Sequence, residues 1–215
     1  MKVPSYLVPV SDLPVVAVPA NEASWEDLQA IFGTRGYTAR CQCQMFKIGH
    51  YQWTEAPREV RTERLRQETH CGNPRAATTS GLVAYLAREP VGWCAVESRT
   101  AYPRLLPARL AWKERGEDKN DASVWAVTCF ATRAGYRRRG VSRALALAAV
   151  DFARERGARA LEGYPLITEP GRDITWGETH VGTRSIFEAA GFTQVAHPTP
   201  RRVVMRIEFE QGGTR

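Results

Sequence analysis

The sequence predicts an α/β domain organised around a parallel strand–helix–strand unit, and three observations carry that reading. The run SVWAVTCFAT (123–132) is apolar on both faces of any strand it forms, the pattern of a central strand rather than an edge. After Gly140, the residues Val141, Leu145, Ala148 or Ala149 and Phe152 recur at helical spacing until Gly157 closes the run, which gives a helix over 140–156. RALEGYP (159–165) then reads as the next strand. The turn before the helix therefore falls at the carboxyl end of a central strand, where open α/β sheets take their ligands.

The other elements follow in chain order. LPVVAV (13–18) suits a short strand, and SWEDLQAIF (24–32) suits a helix with Ser24 as N-cap and Asp27 three residues on, stopped by Gly33 and Gly36. Residues 55–74 read as a charged surface helix anchored by Val60 and Leu65 and ending near Gly72. GLVAYLAREPVGWCAVES (81–98) reads as a hairpin turning at Arg88-Glu89-Pro90. A polar, proline-containing stretch follows over 99–123, with Gly116-Glu117-Asp118-Lys119-Asn120-Asp121 as an exposed loop and no domain boundary in it. THVGTRSIFEAAGF (179–192) fits a helix stopped by Gly191, and VVMRIEF (203–209) fits a last strand. With 215 residues, 43% of them hydrophobic, the chain can bury one sizeable core, and a single domain over 1–215 is the simplest organisation.

Composition narrows the function. The formal charge is +7, but the 30 basic and 23 acidic residues are interspersed and there is no polybasic tail, which favours a local anion site over a nucleic-acid-coating surface. Only Lys2, Lys47, Lys113 and Lys119 are lysines; arginine dominates, and it suits bidentate phosphate or carboxylate recognition. Pro4, Pro9, Pro14 and Pro19 break the N-terminal segment, and no apolar run approaches the roughly 18 residues that cross a bilayer. The expectation is a soluble, cytoplasmic protein with no membrane partner. Five cysteines (Cys41, Cys43, Cys71, Cys94, Cys129) are an odd number, which argues for reduced thiols. Cys41-x-Cys43 is tighter than zinc spacing, and the His70-Cys71 dipeptide cannot easily aim both side chains at one ion, so no metal is expected. Cys129 lies on the apolar strand, where burial dulls a thiol as a nucleophile.

The chemistry concentrates in YRRRGVSRAL (136–145), where three adjacent arginines end in a glycine as a helix begins. Like charges repel, so an anion gathers them. Backbone N–H groups of the turn and the helix N-terminus form an anion-binding concavity, and Gly140 has no side chain to block a phosphate. The flanking guanidiniums add charge-assisted hydrogen bonds. A pyrophosphate fits better than a duplex, because the cluster is short and sits beside a buried strand.

FATRAGYRRRGVSRAL resembles the acyl-coenzyme A signature of the GCN5-related N-acetyltransferases (GNAT), R/Q-x-x-G-x-G/A, here Arg137-x-x-Gly140-x-Ser142. The preceding strand, the following helix, the next strand and the closing IFEAAGF keep that family's order over about 81–209. CQCQ (41–44), PVGWCAV (90–96), GYRRRGV (135–141) and LEGYP (161–165) together are similar to a bacterial branch of it. The resemblance implies a mixed, mostly antiparallel sheet flanked by helices, and acetyl-CoA as cofactor. It also implies direct transfer in a ternary complex to an amine, that of a small molecule before that of a protein. By the same resemblance, backbone groups of Phe130 and Thr132 would hold the pantetheine and polarise the carbonyl, with Ala131 between them in the cofactor-binding set. Arg137, Arg138, Arg139, Gly140, Val141, Ser142 and Arg143 would hold the pyrophosphate. Two positions depart from the pattern: Ser142 replaces the usual glycine or alanine, and Phe187 stands where many members carry a catalytic tyrosine.

Such a reaction needs a base for the amine, an oxyanion donor and support for the departing thiolate. No carboxylate occurs in 124–132. Glu162 and Tyr164, two apart on one strand, share a face and are read as the catalytic pair, Glu162 drawing the proton through a water and Tyr164 supporting the thiolate. Glu97 is the alternative base; a salt-bridged Glu162 beside a packed Tyr164 is the structural alternative. His180 aligns with a family position that is often asparagine and is otherwise a helix cap or surface residue. Trp53, Trp112 and Trp176 are candidates to line an acceptor pocket. Two non-catalytic readings stand beside the enzyme: an acyl-CoA sensor lacking the acid at Phe187, and a basic module using Arg137–Arg139 and Arg201-Arg202 on nucleic acid. The sequence leaves room for a homodimer, and the acceptor is not written in it.

Overall fold

The computed structural model describes residues 14–168 and 176–210, and seven strands within them make one sheet. These are β1 (Val15–Pro19), β2 (Leu82–Leu86), β3 (Glu89–Ser98), β4 (Val124–Thr132), β5 (Ala160–Gly163), β6 (Thr193–Thr199) and β7 (Arg202–Glu208), in the order β1-β2-β3-β4-β5-β7-β6. Every neighbouring pair is antiparallel except β4 and β5, which run parallel in register from Val124↔Ala160 to Val127↔Gly163. A parallel pair needs a crossover, and α6 (Val141–Glu155) supplies it. The expected mixed, mostly antiparallel sheet with one parallel strand–helix–strand unit is present.

Helices cover both faces. On one, α6 and α8 (Arg184–Glu188) pack Leu145, Ala149, Phe152 and Phe187 over Leu82, Cys94, Val96, Val127 and Leu161. On the other, α1 (Trp25–Phe32) and α4 (Arg58–Thr69) set Leu28, Ile31, Phe32 and Leu65 against Val83, Trp93, Ala95 and Cys129. The period-two alternation sends Leu82, Ala84 and Leu86 to the first face and Val83 to the second. Covered on both sides, β4 reads as continuously apolar for the reason its sequence suggested. A third cluster, which includes Tyr102, Leu105, Trp112, Ala126, Tyr164 and Val204, joins the 99–123 segment to the sheet.

The turns are local chemistry. Ser24 Oγ accepts from the Asp27 amide at 3.0 Å, the cap the sequence predicts for α1. The β2–β3 hairpin turns on Ala87 and Arg88, both left-handed (φ 49° and 74°), one residue before the expected position; two such residues match the twist of the flanking strands.

Elsewhere the structure differs from the sequence reading. Three short helices fall where the sequence reading assigned no helix: α2 (Gly36–Cys41), α3 (His50–Glu55) and α5 (Arg109–Trp112), each too short to display a helical period. The helix expected over 179–192 is divided into α7 (Trp176–Thr179) and α8, with Gly182 between them at φ 83°. Strand β6 was not expected; it carries Pro198, which is tolerated because β6 is an edge. In α4, Leu65 is 1% exposed but Val60 is 48% exposed, so only the first is an anchor. The reading of the first thirteen residues, Leu13 of the expected first strand included, lies outside the described ones. Among the described residues, no helix is long and apolar enough to cross a membrane.

Candidate functional site

The site begins where the parallel pair separates. The last β4–β5 partners are Val127 and Gly163, yet β4 continues to Thr132. The Arg133 amide turns back to the Val91 carbonyl on β3 at 2.9 Å, so by alternation the backbone groups of Phe130 and Thr132 face the side that β5 has left. The Phe130 amide already donates to the His180 carbonyl at 2.6 Å. Of the two strand-edge positions singled out for the pantetheine, Thr132 is the one clear of that bond.

A groove of about 200 Å³ follows this edge, lined in part by Phe130, Thr132, Arg137, Arg138, Ser142 and His180. The hydroxyls of Thr132 and Ser142 lie 3.4 Å apart across it. In the turn above, Arg138 and Gly140 are left-handed (φ 62° and 75°), and Gly140 caps α6. A Cβ on Gly140 would meet no protein atom within 4 Å. Glycine therefore satisfies the conformation, and the space over it is open to a ligand. The other residues of the predicted cofactor set lie off the groove. Ala131 and Val141 are core residues (1% and 2% exposed); Arg143 is exposed; the Arg139 guanidinium stacks 5.4 Å from the Tyr136 ring centre.

A second cavity, of about 320 Å³, has Phe46, Arg104, Leu105, Tyr164, His180 and Arg202 among its walls. His180 lines both spaces and is 7% exposed. Its Nδ1 lies 2.7 Å from the Gly177 carbonyl. A carbonyl only accepts, so Nδ1 carries the proton and the lone pair of the neutral ring is on Nε2. Burial holds the His180 pKa below 6.5, with the nearby Arg202 charge adding to the effect and the Gly177 bond opposing it. The imidazole is thus neutral at pH 7.

Glu162 and Tyr164 do share a face, but Glu162 lines neither cavity. Its carboxylate is 0% exposed and is enclosed by Arg99 (3.4 Å), Arg115 and Arg206, while the Tyr164 hydroxyl donates to Glu162 Oε2 at 2.9 Å. Glu117 completes the cluster through Arg99, Arg115 and Arg206. Burial pushes the Glu117 carboxyl up, but the Arg99 hydrogen bond and the Arg115 and Arg206 charges outweigh it and hold it at about 2. Burial, and then the Glu162 charge, raises the Tyr164 phenol well above its usual range. Glu97 is paired with Lys47 and also lines neither cavity.

Phe187 is fully buried, edge-on to Phe130 (5.9 Å) and Phe192 (5.0 Å). A Cβ on Gly163 would sit 2.1 Å from its ring, so Gly163 makes room for it. Trp112 lies beneath the guanidiniums of Arg99 and Arg115 (4.7 and 5.1 Å), and Arg61 stacks on Trp53 (4.0 Å); neither tryptophan lines the second cavity, and the Trp176 side chain lies outside the described residues. All five cysteines are free thiols; burial pushes Cys41 up to about 12 and raises Cys94 further above its usual range, and a bond to Cys43 together with burial does the same for Cys129. Among the described residues, no three His, Cys, Asp or Glu side chains come together as a metal site.

A strand edge opened by the divergence of two parallel strands, an arginine-rich turn at the next helix and a second cavity meeting the first make a site of the acyl-CoA transferase class. The sequence profile of the acetyltransferase (GNAT) family matches residues 45–164, more than half of the chain, and the chain belongs to that family, whose donor is acetyl-CoA. Among solved structures, a GCN5-related N-acetyltransferase from Kribbella flavida is similar, at 18% identity over 91% of this chain and 98% of its own, with a TM-score of 0.51. So is yncA from Salmonella typhimurium, solved with its cofactor acetyl-CoA, at 13% identity over 93% of this chain and 96% of its own, with a TM-score of 0.51. At those identities the likeness is one of fold. Comparison with curated proteins gave no match.

Proposed function

We propose that this single-domain protein transfers the acetyl group of acetyl-CoA directly to the amine of a small molecule. The observation that carries the reading is that one neutral histidine, His180, lines both the cofactor groove and the second cavity. That cavity, at about 320 Å³, is within the roughly 300–1,000 Å³ of small-molecule sites. A protein side chain entering from a surface would need less enclosure. The five free thiols suit the reducing cytoplasm.

The residues fit the donor. The turn Arg137–Ser142 offers backbone N–H groups, two guanidiniums and a hydroxyl to the pyrophosphate, and the Thr132 backbone offers strand-like pairing to the pantetheine. Acetyl-CoA supplies an acetyl group already activated as a thioester. His180 Nε2 takes the proton of the attacking amine and gives it up again as the thiol forms, which accounts for the transfer without an acid at Phe187. Glu162 acts as a positioning residue: its charge gathers Arg99, Arg115 and Arg206, and it fixes the Tyr164 hydroxyl in the cavity wall.

Release of free thiol from acetyl-CoA across a panel of small amines tests the reading. Amine-dependent release supports it. Stabilisation by acetyl-CoA with no release for any amine replaces the enzyme with a sensor.

A further inference from the structure

The second cavity holds opposite kinds of wall. Phe46, Leu105, Ala111 and Val181 are apolar, whereas Arg104 and Arg202 bring two guanidiniums, and among the described residues no Asp or Glu lines it. Arg202 has no ion pair among the described residues. Its Nη1 and Nη2 lie 3.5 and 3.4 Å from the backbone carbonyls of Tyr164 and Glu178, and the Glu178 carboxylate pairs with Arg201 at 2.9 Å. Burial lowers the Arg202 pKa, only partly offset by Glu178. A half-buried cation without a carboxylate is costly to keep, and a guanidinium matches a carboxylate in two parallel hydrogen bonds. A polycation such as a polyamine would meet the Arg202 charge, with no Asp or Glu among the described lining residues to balance it.

We infer that the acceptor is a small amine that also carries a carboxylate and an apolar side chain, an apolar α-amino acid or close analogue. This rests on the acetyltransferase reading and names its substrate. Arg202 takes the carboxylate, the Phe46–Leu105 wall takes the side chain, and the α-amine lies toward His180. In the transfer, the amine nitrogen forms the amide bond as the thioester C–S bond breaks, one amine proton passes to His180 Nε2, and that proton is handed on to the departing sulfur, which leaves as the thiol.

The test compares phenylalanine, methionine and leucine with their carboxamides, with phenethylamine, with spermidine and with a peptide whose only amine is its N-terminus, reading thiol release from acetyl-CoA. The free amino acids should exceed their carboxamides and phenethylamine by about 10²-fold in kcat/KM, because a site built for a polar group rejects analogues that lack it. Arg202→Gln should raise KM for phenylalanine about 30-fold, as losing one partner of an enclosed charge pair does, and leave phenethylamine unchanged. Calorimetry should register phenylalanine binding to the wild-type protein and not to Arg202→Gln, with acetyl-CoA bound by both. The wild-type comparison decides the matter alone if the variant does not fold. Release with carboxamides, spermidine or the peptide equal to that with amino acids overturns the acceptor class and leaves the acetyltransferase reading standing. No release with any amine, and no acetyl-CoA binding, overturns both.

Discussion

The Tyr164 hydroxyl donates to Glu162 Oε2 at 2.9 Å, and this bond ties the wall of the second cavity to a carboxylate caged by arginines. Two residues apart on one strand, they reach the same side of the sheet as the pleat requires. What the pleat does not say is that Arg99 and Arg115, from the segment between β3 and β4, and Arg206, from β7, converge on the same carboxylate.

Glu162→Gln should therefore act first on stability. A neutral amide would leave three guanidiniums, one of them fully buried, with only Glu117 and, on Arg206, the more exposed Glu208 to balance them, and breaking a buried pair costs about 3–5 kcal/mol. The urea midpoint should fall markedly. In the folded fraction KM for the acceptor should rise as Tyr164 loses its anchor, and the acid limb of the pH–rate profile should persist. Disappearance of that limb would return the role of base to Glu162.

The outcome separates what sequence patterns carry from what they do not. The central unit was legible because β4, α6 and β5 are long or apolar enough to display their periods, and the turn before α6 because a glycine precedes the periodic run. Glu162 and Tyr164 were legible as neighbours, but whether their face meets a cavity depends on Arg99 and Arg115 in a stretch with no period. His180 was legible only as a family position that is often asparagine or as a cap or surface residue. Its place between two cavities is set by the break at Gly182 and by the Phe130 amide reaching its carbonyl, neither of which leaves a periodic trace. The second cavity draws on Phe46, Arg104 and Arg202, distant in sequence and brought together only by the fold.

The turn at Gly140 gives a prediction about the donor. Ligand present at about a hundred times its Kd stabilises a protein by about 2.7 kcal/mol, so saturating acetyl-CoA should raise the wild-type melting temperature by several degrees. Gly140→Val strains a backbone at φ 75° and fills the open space above it, lowering the melting temperature without ligand and removing most of the increment with it. Arg137→Ala should lose a smaller share, since one side-chain contact goes and the backbone cradle remains. Equal increments in all three proteins would detach this turn from the cofactor.

The role of His180 can be read from pH. Only the neutral ring accepts a proton, and burial has moved its pKa below 6.5, so kcat/KM should be flat with respect to this group above about 6.5 and fall as pH drops through the depressed value. The same displacement makes protonation destabilising: the stability that His180 contributes is present above 6.5 and is lost on the acid side. His180→Asn keeps an amide that can donate to the Gly177 carbonyl and removes the basic nitrogen. It should lower kcat/KM by about 10²-fold or more and abolish the acid limb, as expected when a positioned base is lost. The melting increment with acetyl-CoA should survive, because the arginine turn is untouched. A variant that kept both its rate and its acid limb would show that the amine loses its proton to another group, with Glu97 the next carboxylate to replace.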